Sequence, residues 1–343
     1  MVLPPFVVDA LVELRKRTIL LPLPEPTFDP LKVSAEELRL FGLPVPDEFP
    51  VGSPERVART KFLTGPEPGK PVRFVPAFSD DGYPHSQYIA TISLTVPGHP
   101  WPATGSNNWS GGFVTPRDGG NFSFMEASWV VPAVTAPVGG VDPEYYSSTW
   151  IGLDGQRSYR DSTLPQIGTM QFFERASATA KYLVWYQWWA KGPPQPWHPV
   201  NLPVAAGHEF YASLTVLNPT KVRFHIKNVT LGTILQVIDV VAPAGCVVSG
   251  ATAEWIRERP TPLQGGDSWF PYPLPVYEDF SFQGCRTEST APDGSGPTSN
   301  DLELVRLIRM QEITKAPPGV RTISVAKKTP QNRQQLNLRY TGP

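Results

Sequence analysis

The sequence predicts an all-β protein, built as a sandwich or barrel of antiparallel strands. Its 343 residues include 41 prolines and 28 glycines, spread along the chain. Proline breaks helix interiors and removes a hydrogen-bond donor from a sheet, so this composition disfavours a helical protein. Beyond residue 104, apolar and polar residues alternate in short segments that turn residues separate. Together these observations favour short strands joined by turns.

Residues 1–104 form a proline-rich leader that differs from the rest of the chain. A helix is predicted over about 9–17, before the first proline-rich connector. Ser34 and Glu37 fit a capping box that begins a second short helix over 35–41. The connectors "LPLPEPTFDP" and "GLPVPDEFPVGSPE" are of the extended type. We interpret the leader as a segment that wraps or links, without a core of its own.

Residues 105–315 read as one strand after another. Residues 316–343 begin as one more strand and end as a polar tail. The predicted strands include "NFSFMEASWVVP", "YYSSTWIGLDG", "LPQIGTMQFFERAS", "AKYLVWYQWWA", "EFYASLTVLN", "KVRFHIKNVT", "ILQVIDVVAP", "SGATAEWIRERP", "VYEDFSFQGC" and "LELVRLIRMQEI".

The charge balance gives no reason to expect nucleic acid or a membrane surface as a partner. The chain has 30 basic and 31 acidic residues, a formal net charge of −1. No apolar run approaches the ~20 residues that span a bilayer, and the first residues do not resemble a signal peptide. Cys246 and Cys285 leave either a disulfide or two free thiols open, so the compartment remains unknown.

Several common types of catalytic site are absent from the sequence. There is no Gly-x-Ser-x-Gly elbow, no Asp-Thr-Gly or Asp-Ser-Gly triplet, and no His-Glu-x-x-His motif. The five histidines lack close metal-ligand spacing, and no glycine-rich loop that holds phosphate precedes a helix. We therefore expect neither a metal nor a cofactor, and the reagents of an enzyme would be carboxylates and amides.

Three predicted strands place polar groups among large aromatic residues. Because side chains alternate along a strand, Gln187 shares a face with Trp185, while Gln166 and Glu254 lie among apolar neighbours. A carboxylate and an amide in one cleft suit attack of water on a peptide bond. The alternative is ordinary: an isolated strand Glu is usually exposed, and tryptophans usually belong to a core.

The order of several short blocks resembles that of the glutamic peptidases called eqolisins, which are pepstatin-insensitive acid endopeptidases. The resemblance covers residues 105–315 and implies a β-sandwich of two bent antiparallel sheets with an active site on the concave face. The blocks are "SNNWSGGFV", "ASWVVP", "WIGLDG", "LPQIGT", "WYQWW" and "AEWIRERP".

The resemblance implies a catalytic pair of Gln166 in "LPQIGT" and Glu254 in "AEWIRERP". Glu254 would activate a water and then protonate the leaving amine, and Gln166 would stabilise the tetrahedral intermediate. Glu258 receives no such role and is expected to be an ordinary charge at the end of its strand. Residues in matching blocks would line the cleft and contact substrate: Asn108, Trp109, Trp150, Asp154, Trp185 and Gln187.

The resemblance further implies polypeptide substrates and no cofactor, and we expect a monomer. Fungal members carry acidic residues where this chain has Leu183 and Gln187. We therefore expect an acid pH optimum that is less extreme than theirs. The leader is either a prosegment that is removed on activation or a permanent wrapping. The competing function is a non-catalytic, carbohydrate- or peptide-binding sandwich with a groove lined by tryptophans.

Overall fold

The computed structural model describes residues 12–67, 69–78, 89–90, 105–156, 163–190, 197–262, 271–315 and 318–342. They form the predicted all-β fold, two largely antiparallel sheets packed face to face. Residues 12–16 are helical, followed by α1 (Ala35–Leu40), a 3₁₀ helix (Pro46–Glu48), α2 (Pro54–Leu63) and a second 3₁₀ helix (Leu302–Leu304). The strands are β1 (Thr18–Leu20), β2 (Arg73–Val75), β3 (Ile89–Ala90), β4 (Gly105–Ser106), β5 (Trp109–Val114), β6 (Asn121–Val130), β7 (Val134–Thr135), β8 (Glu144–Leu153), β9 (Leu164–Glu174), β10 (Thr179–Trp189), β11 (His198–Val200), β12 (Glu209–Asn218), β13 (Lys221–Asn228), β14 (Thr233–Leu235), β15 (Ile238–Val241), β16 (Ala253–Glu258), β17 (Thr261–Pro262), β18 (Val276–Tyr277), β19 (Phe280–Thr290), β20 (Thr298–Asn300), β21 (Arg306–Lys315), β22 (Pro318–Thr329) and β23 (Asn332–Tyr340).

The first sheet has the spatial order β11, β10, β9, β8, β16, β5, β21. The second sheet has the order β1, β15, β13, β12, β6, β19, β23, β22, β21. Strand β21 belongs to both sheets and joins them at one side. Two short strands pair in parallel, β2 with β14 and β4 with β21.

Alternation along the strands divides each sheet into an inner and an outer face. In β10, Tyr186 and Trp188 enter the core between the sheets, whereas Trp185 belongs to a separate aromatic cluster on the other face of the first sheet. In β16, Trp255 is in the inner core and Ile256 is in the outer cluster. The outer face of the first sheet therefore carries every even-numbered residue of β16, including the predicted base.

The described part of the leader covers the outer face of the second sheet. Its helices and connectors bury Leu38, Phe62 and Leu63 against Ile234 and Val237 of the sandwich. Strand β1 extends the second sheet beyond β15, and β2 adds to β14. This leader thus shares a core with the sandwich and adds strands to one of its sheets.

The predictions for the leader are confirmed at the capping box and incomplete elsewhere. Ser34 and Glu37 make both bonds of the capping box, and the helix ends at Leu40, one residue earlier than predicted. Helix α2 was not predicted, although Ser53 as its N-cap and Pro54 at its first turn are the usual signals. The predicted start of the first helix, at residues 9–11, lies outside the described residues.

The polar tail predicted at the C-terminus is wrong, because residues 332–340 form strand β23. Leu336 and Leu338 are buried in the inner core, and the polar residues between them face outward. Both cysteines are free: Cys285 is buried and Cys246 is half-buried, so the structure contains no disulfide between them. None of the helices in the described part of the chain has the length and apolar character needed to cross a membrane.

Candidate active site

Strand register brings the two predicted reagents into one row across the first sheet. Glu254 in β16 pairs with Gly152 in β8, and Gly152 pairs with Gln166 in β9. Gln166 pairs in turn with Gln187 in β10, and Phe113 of β5 flanks Glu254. Directly paired residues point to the same face of a sheet, so these side chains are neighbours on one face. Neighbouring strands lie about 4.8 Å apart, which places the Cα atoms of Glu254 and Gln166 roughly 10 Å from each other.

Gly152 lets strands β8 and β9 pack closely between these two side chains. A Cβ atom at this position would lie 2.8 Å from Leu164 Cδ1, 3.0 Å from the Pro165 carbonyl oxygen and 3.1 Å from Gln166 Cβ. Any side chain here would therefore crowd Gln166 and displace Leu164 or the backbone of β9. Close packing thus requires glycine at this point of the row.

Glu254 is fully buried, and neither carboxylate oxygen has a hydrogen-bond partner. Burial raises the pKa of Glu254 well above its ordinary value, and the nearby charge of Asp154 adds to the rise. The Thr252 hydroxyl and the Gly155 N–H face the carboxyl and oppose the rise, without hydrogen-bond geometry. Leaving a buried polar group unpaired costs about 1–3 kcal/mol, and more if it is charged. The carboxyl is therefore held in a state that favours binding a proton.

Gln166 is also fully buried, and only the nitrogen of its side-chain amide is hydrogen-bonded within the described protein. Its Nε2 donates a 2.7 Å hydrogen bond to Gln187 Oε1. Its Oε1 has no partner, and its second N–H is not used by any described residue. One donor and one acceptor of this amide thus remain available to a reacting group.

Asp154 fixes the segment that leads into β16. It lies at the end of β8 with a positive φ of 70°. Its Oδ1 accepts from the Ser249 hydroxyl (2.9 Å) and the Ala251 N–H (2.8 Å), and its Oδ2 accepts from the N–H groups of Ser249 and Gly250. Burial raises the pKa of Asp154, and these four donors oppose that rise. With all its donors supplied by residues 249–251, Asp154 positions the strand that carries Glu254.

The expectation that Glu258 is an ordinary exposed charge is wrong. It is fully buried on the same face as Glu254, because two alternations separate them. Asn108 Nδ2 donates to its Oε1 (3.1 Å), and Trp150 Nε1 donates to its Oε2 (2.8 Å). Burial raises the pKa of Glu258 to about 8, and these donors oppose the rise. Glu258 thus anchors two of the residues that were predicted to line the cleft.

Tryptophans form the wall beside the row. Trp109 and Trp150 meet edge to face, with ring centroids 5.1 Å apart. Trp150 and Trp185 lie in the next row on the same face, where the register places Gly168 between them. The indole N–H groups of Trp109 and Trp185 have no partner with hydrogen-bond geometry. The wall is therefore apolar, with two buried donors.

The structure therefore brings Glu254, Gln166 and Gln187 into one row and Trp109, Trp150 and Trp185 beside it. Asn108 and Asp154 do not join the row, and each has side-chain bonds to neighbouring protein groups. Sequence reasoning missed the roles of Gly152 and Glu258. A glycine in an otherwise regular strand was the available signal for the first, since such glycines mark close approach. Among the described residues, no group of three or more His, Cys, Asp or Glu is placed to hold a metal ion.

Comparison with known proteins identifies the family. The sequence matches the Peptidase A4 family over residues 107–319, more than half of the chain. No curated protein matches it. Among solved structures, the fold is similar to a crystal structure of scytalido-glutamic peptidase with a transition state analog inhibitor: TM-score 0.53, 17% identity, 68% of this chain and 98% of that chain covered. It is also similar to SCP-B, a member of the eqolisin family of peptidases, in complex with the tripeptide Ala-Ile-His: TM-score 0.51, 18% identity, with the same coverage. The eqolisin resemblance is confirmed, and this chain belongs to the Peptidase A4 family and is a peptide hydrolase.

Proposed function

We propose that the protein is an acid endopeptidase in which Glu254 and Gln166 carry out the reaction. The observation that supports this most strongly is the row itself. It places a buried carboxyl and a buried amide on either side of Gly152, with polar atoms that have no hydrogen-bond partner among the described residues. Native proteins rarely leave such atoms buried and unpaired, so they are best explained by a ligand that completes them.

The chemistry follows from the two groups. The Glu254 carboxylate takes a proton from a water, and the water oxygen forms a bond to the peptide carbonyl carbon. The oxygen of the resulting tetrahedral intermediate accepts an N–H from Gln166 Nε2. The Glu254 carboxylic acid then gives its proton to the amine nitrogen as the C–N bond breaks. One carboxyl therefore acts first as base and then as acid, and no other proton carrier is needed.

Burial shifts the titration of this carboxyl. Because burial raises the pKa of Glu254, the base form becomes available at a higher pH than it does for an exposed glutamate. Activity should rise with pH through that pKa. The direction of the shift agrees with an acid optimum less extreme than that of the fungal relatives.

The competing function, a sugar-binding groove without catalysis, has less support. A binding groove does not need a carboxyl and an amide in one row of a sheet with unpaired atoms, whereas peptide hydrolysis uses both groups. Membership of a peptidase family also favours hydrolysis.

Cleavage of denatured casein from pH 2 to pH 7, with pepstatin present, tests the proposal. We expect Glu254→Gln to lower kcat by about 10³-fold and Gln166→Ala to lower it by about 10²-fold. Glu278→Gln, at an exposed carboxyl, is the control and should retain wild-type activity. Full cleavage by folded Glu254→Gln protein would refute the mechanism.

A further inference from the structure

We infer that Gln187 is the positioning residue of the catalytic amide, and that its neutrality makes the orientation of Gln166 independent of pH. The inference deepens the proposed function and rests on it. It starts from the one strong hydrogen bond that the catalytic amide makes, from Gln166 Nε2 to Gln187 Oε1 at 2.7 Å.

An amide at the end of a Gln side chain has two nearly equivalent orientations, because the final torsion is broad and roughly two-fold. Only one of them is useful here, with a donor directed at the intermediate. The reversed amide would place Gln166 Oε1 against Gln187 Oε1, and two acceptors would meet inside the protein. The bond to Gln187 therefore selects the orientation and leaves the second N–H and the oxygen of Gln166 for the reacting groups.

The strand register of β9 and β10 fixes the position of Gln187. It pairs directly with Gln166 across β9 and β10, and both side chains are fully buried. Shifting either strand by one residue would turn the side chain to the inner face. The two amides thus face each other as a consequence of strand pairing, and no loop is involved.

The ionisable groups around this pair come from other strands. On the same face, β16 supplies Glu254 and Glu258, and the end of β8 supplies Asp154. Strand β21 supplies Arg306, which lies over the ring of Phe113. Strands β9 and β10 themselves carry charges only at the far end of their hairpin, Glu174 and Lys181. Neither Gln166 nor Gln187 changes charge, so a pH profile should report Glu254 and its coupling to Asp154 without a contribution from the amide partner.

Two substitutions separate this role from simple packing. Gln187→Met keeps the length of the side chain and removes the acceptor. Because the amide of Gln166 would then sample both orientations and lose alignment, we expect kcat to fall by about 10- to 100-fold. KM should change by less than about threefold, since ground-state contacts are kept. The melting temperature should fall slightly, and the shape of the pH profile should not change.

Gln187→Glu keeps the acceptor and adds an ionisation. The protonated side chain still accepts from Gln166, so most of the wild-type kcat should be retained at low pH. As the introduced carboxyl loses its proton, its negative charge opposes the developing oxyanion and raises the pKa of Glu254 further. The expected result is a pH profile whose acid limb moves to higher pH and whose maximum is lower than that of wild type.

The inference is overturned if folded Gln187→Met keeps wild-type kcat, or if Gln187→Glu gives the wild-type pH profile. It is also overturned if Gln187→Met loses activity only in proportion to unfolded protein, measured by circular dichroism of the same samples. Failure of the proposed function looks different. In that case Glu254→Gln would remain active, whatever the Gln187 variants do.

Discussion

Two faces of this molecule bury carboxyl groups, and Glu126 on one face and Glu254 on the other differ in their partners. On the outer face of the second sheet, under the leader, buried charges have partners. Glu126 accepts from Arg286 Nε (2.8 Å) and from the Tyr211 hydroxyl, and Arg286 also binds Glu55 of α2 at 2.7 Å. On the outer face of the first sheet, Glu254 has no partner at either oxygen.

The difference shows which polar groups serve the architecture. Lys227 illustrates the leader side: it is buried, and its Nζ donates to the carbonyl oxygens of Lys61, Phe62 and Thr64 at the end of α2. The last carbonyls of a helix lack their regular partners, and here the Thr64 N–H bonds only the Lys61 oxygen, at 3.4 Å. The lysine satisfies these carbonyls, and its charge suits the negative end of the helix dipole. Paired charges hold the leader to the sandwich, whereas the unpaired carboxyl of Glu254 is retained at a cost in stability.

This contrast bears on the fate of the leader. Residues 12–78 add strands to the second sheet and share a core with it, on the side away from the catalytic row. We propose that they remain with the sandwich after any activation cleavage. The two alternatives for residues 1–104, a removable prosegment and a permanent wrapping, stay untested, as do the expected monomer and the absence of nucleic-acid partners.

The largest effect should come from adding a side chain at Gly152, between Glu254 and Gln166. Gly152→Ala would place a methyl group against Gln166 Cβ and Leu164 Cδ1. We expect kcat to fall by about 10²-fold through displacement of the amide, with a stability loss of about 1–2 kcal/mol. Steady-state kinetics and urea unfolding measure the two effects.

Gly319→Ala is the matched control, because its Cβ would meet only Thr314 Oγ1, at 3.5 Å. It should leave both quantities near wild type. Unchanged kcat in Gly152→Ala would show that the close packing at Gly152 does not position Gln166.

The leader side should show the reverse pattern, with stability lost and chemistry kept. Lys227→Met leaves the end of α2 without its donors, and we expect a loss of about 2–3 kcal/mol in the free energy of unfolding. The kcat of the folded fraction should be unchanged.

Native mass spectrometry of active protein should find residues 12–78 bound to the sandwich in wild type, even when a cut is present. An active sandwich that lacks them would contradict the proposed retention.

The leader contacts should also depend on pH. Burial lowers the pKa of His225, whose Nε2 bonds the Gly42 carbonyl oxygen, to about 4, and that of His198, whose ring lies tilted against Phe78, also to about 4. A histidine whose folded pKa is depressed binds fewer protons when folded. The free energy of unfolding should therefore fall as pH drops from about 6.5 through about 4, by on the order of 3 kcal/mol for each histidine.

Thermal melts between pH 7 and pH 3.5 would measure this dependence. His225→Gln keeps a donor for Gly42 and does not titrate, so its slope should be shallower than that of wild type. An identical slope would mean that other groups cause the loss.

The sequence by itself determined the strands, one helix cap and the types of residue available for chemistry. Alternation assigned Glu254 and Ile256 to one face of β16, and the capping box at Ser34 was local, so both could be found from neighbouring residues. The ordered blocks added the family and the candidate pair Gln166 and Glu254. These conclusions depend on residues a few positions apart.

Only the tertiary structure decided which strands lie side by side. Alternation assigns a side chain to a face but not to a partner, and strand pairing is set by contacts far apart in sequence. The row of Glu254, Gly152 and Gln166, the buried anchor Glu258 and the buried strand β23 all depend on such pairing. The leader's position is decided in the same way, because its apolar residues are satisfied only by the outer face of the second sheet.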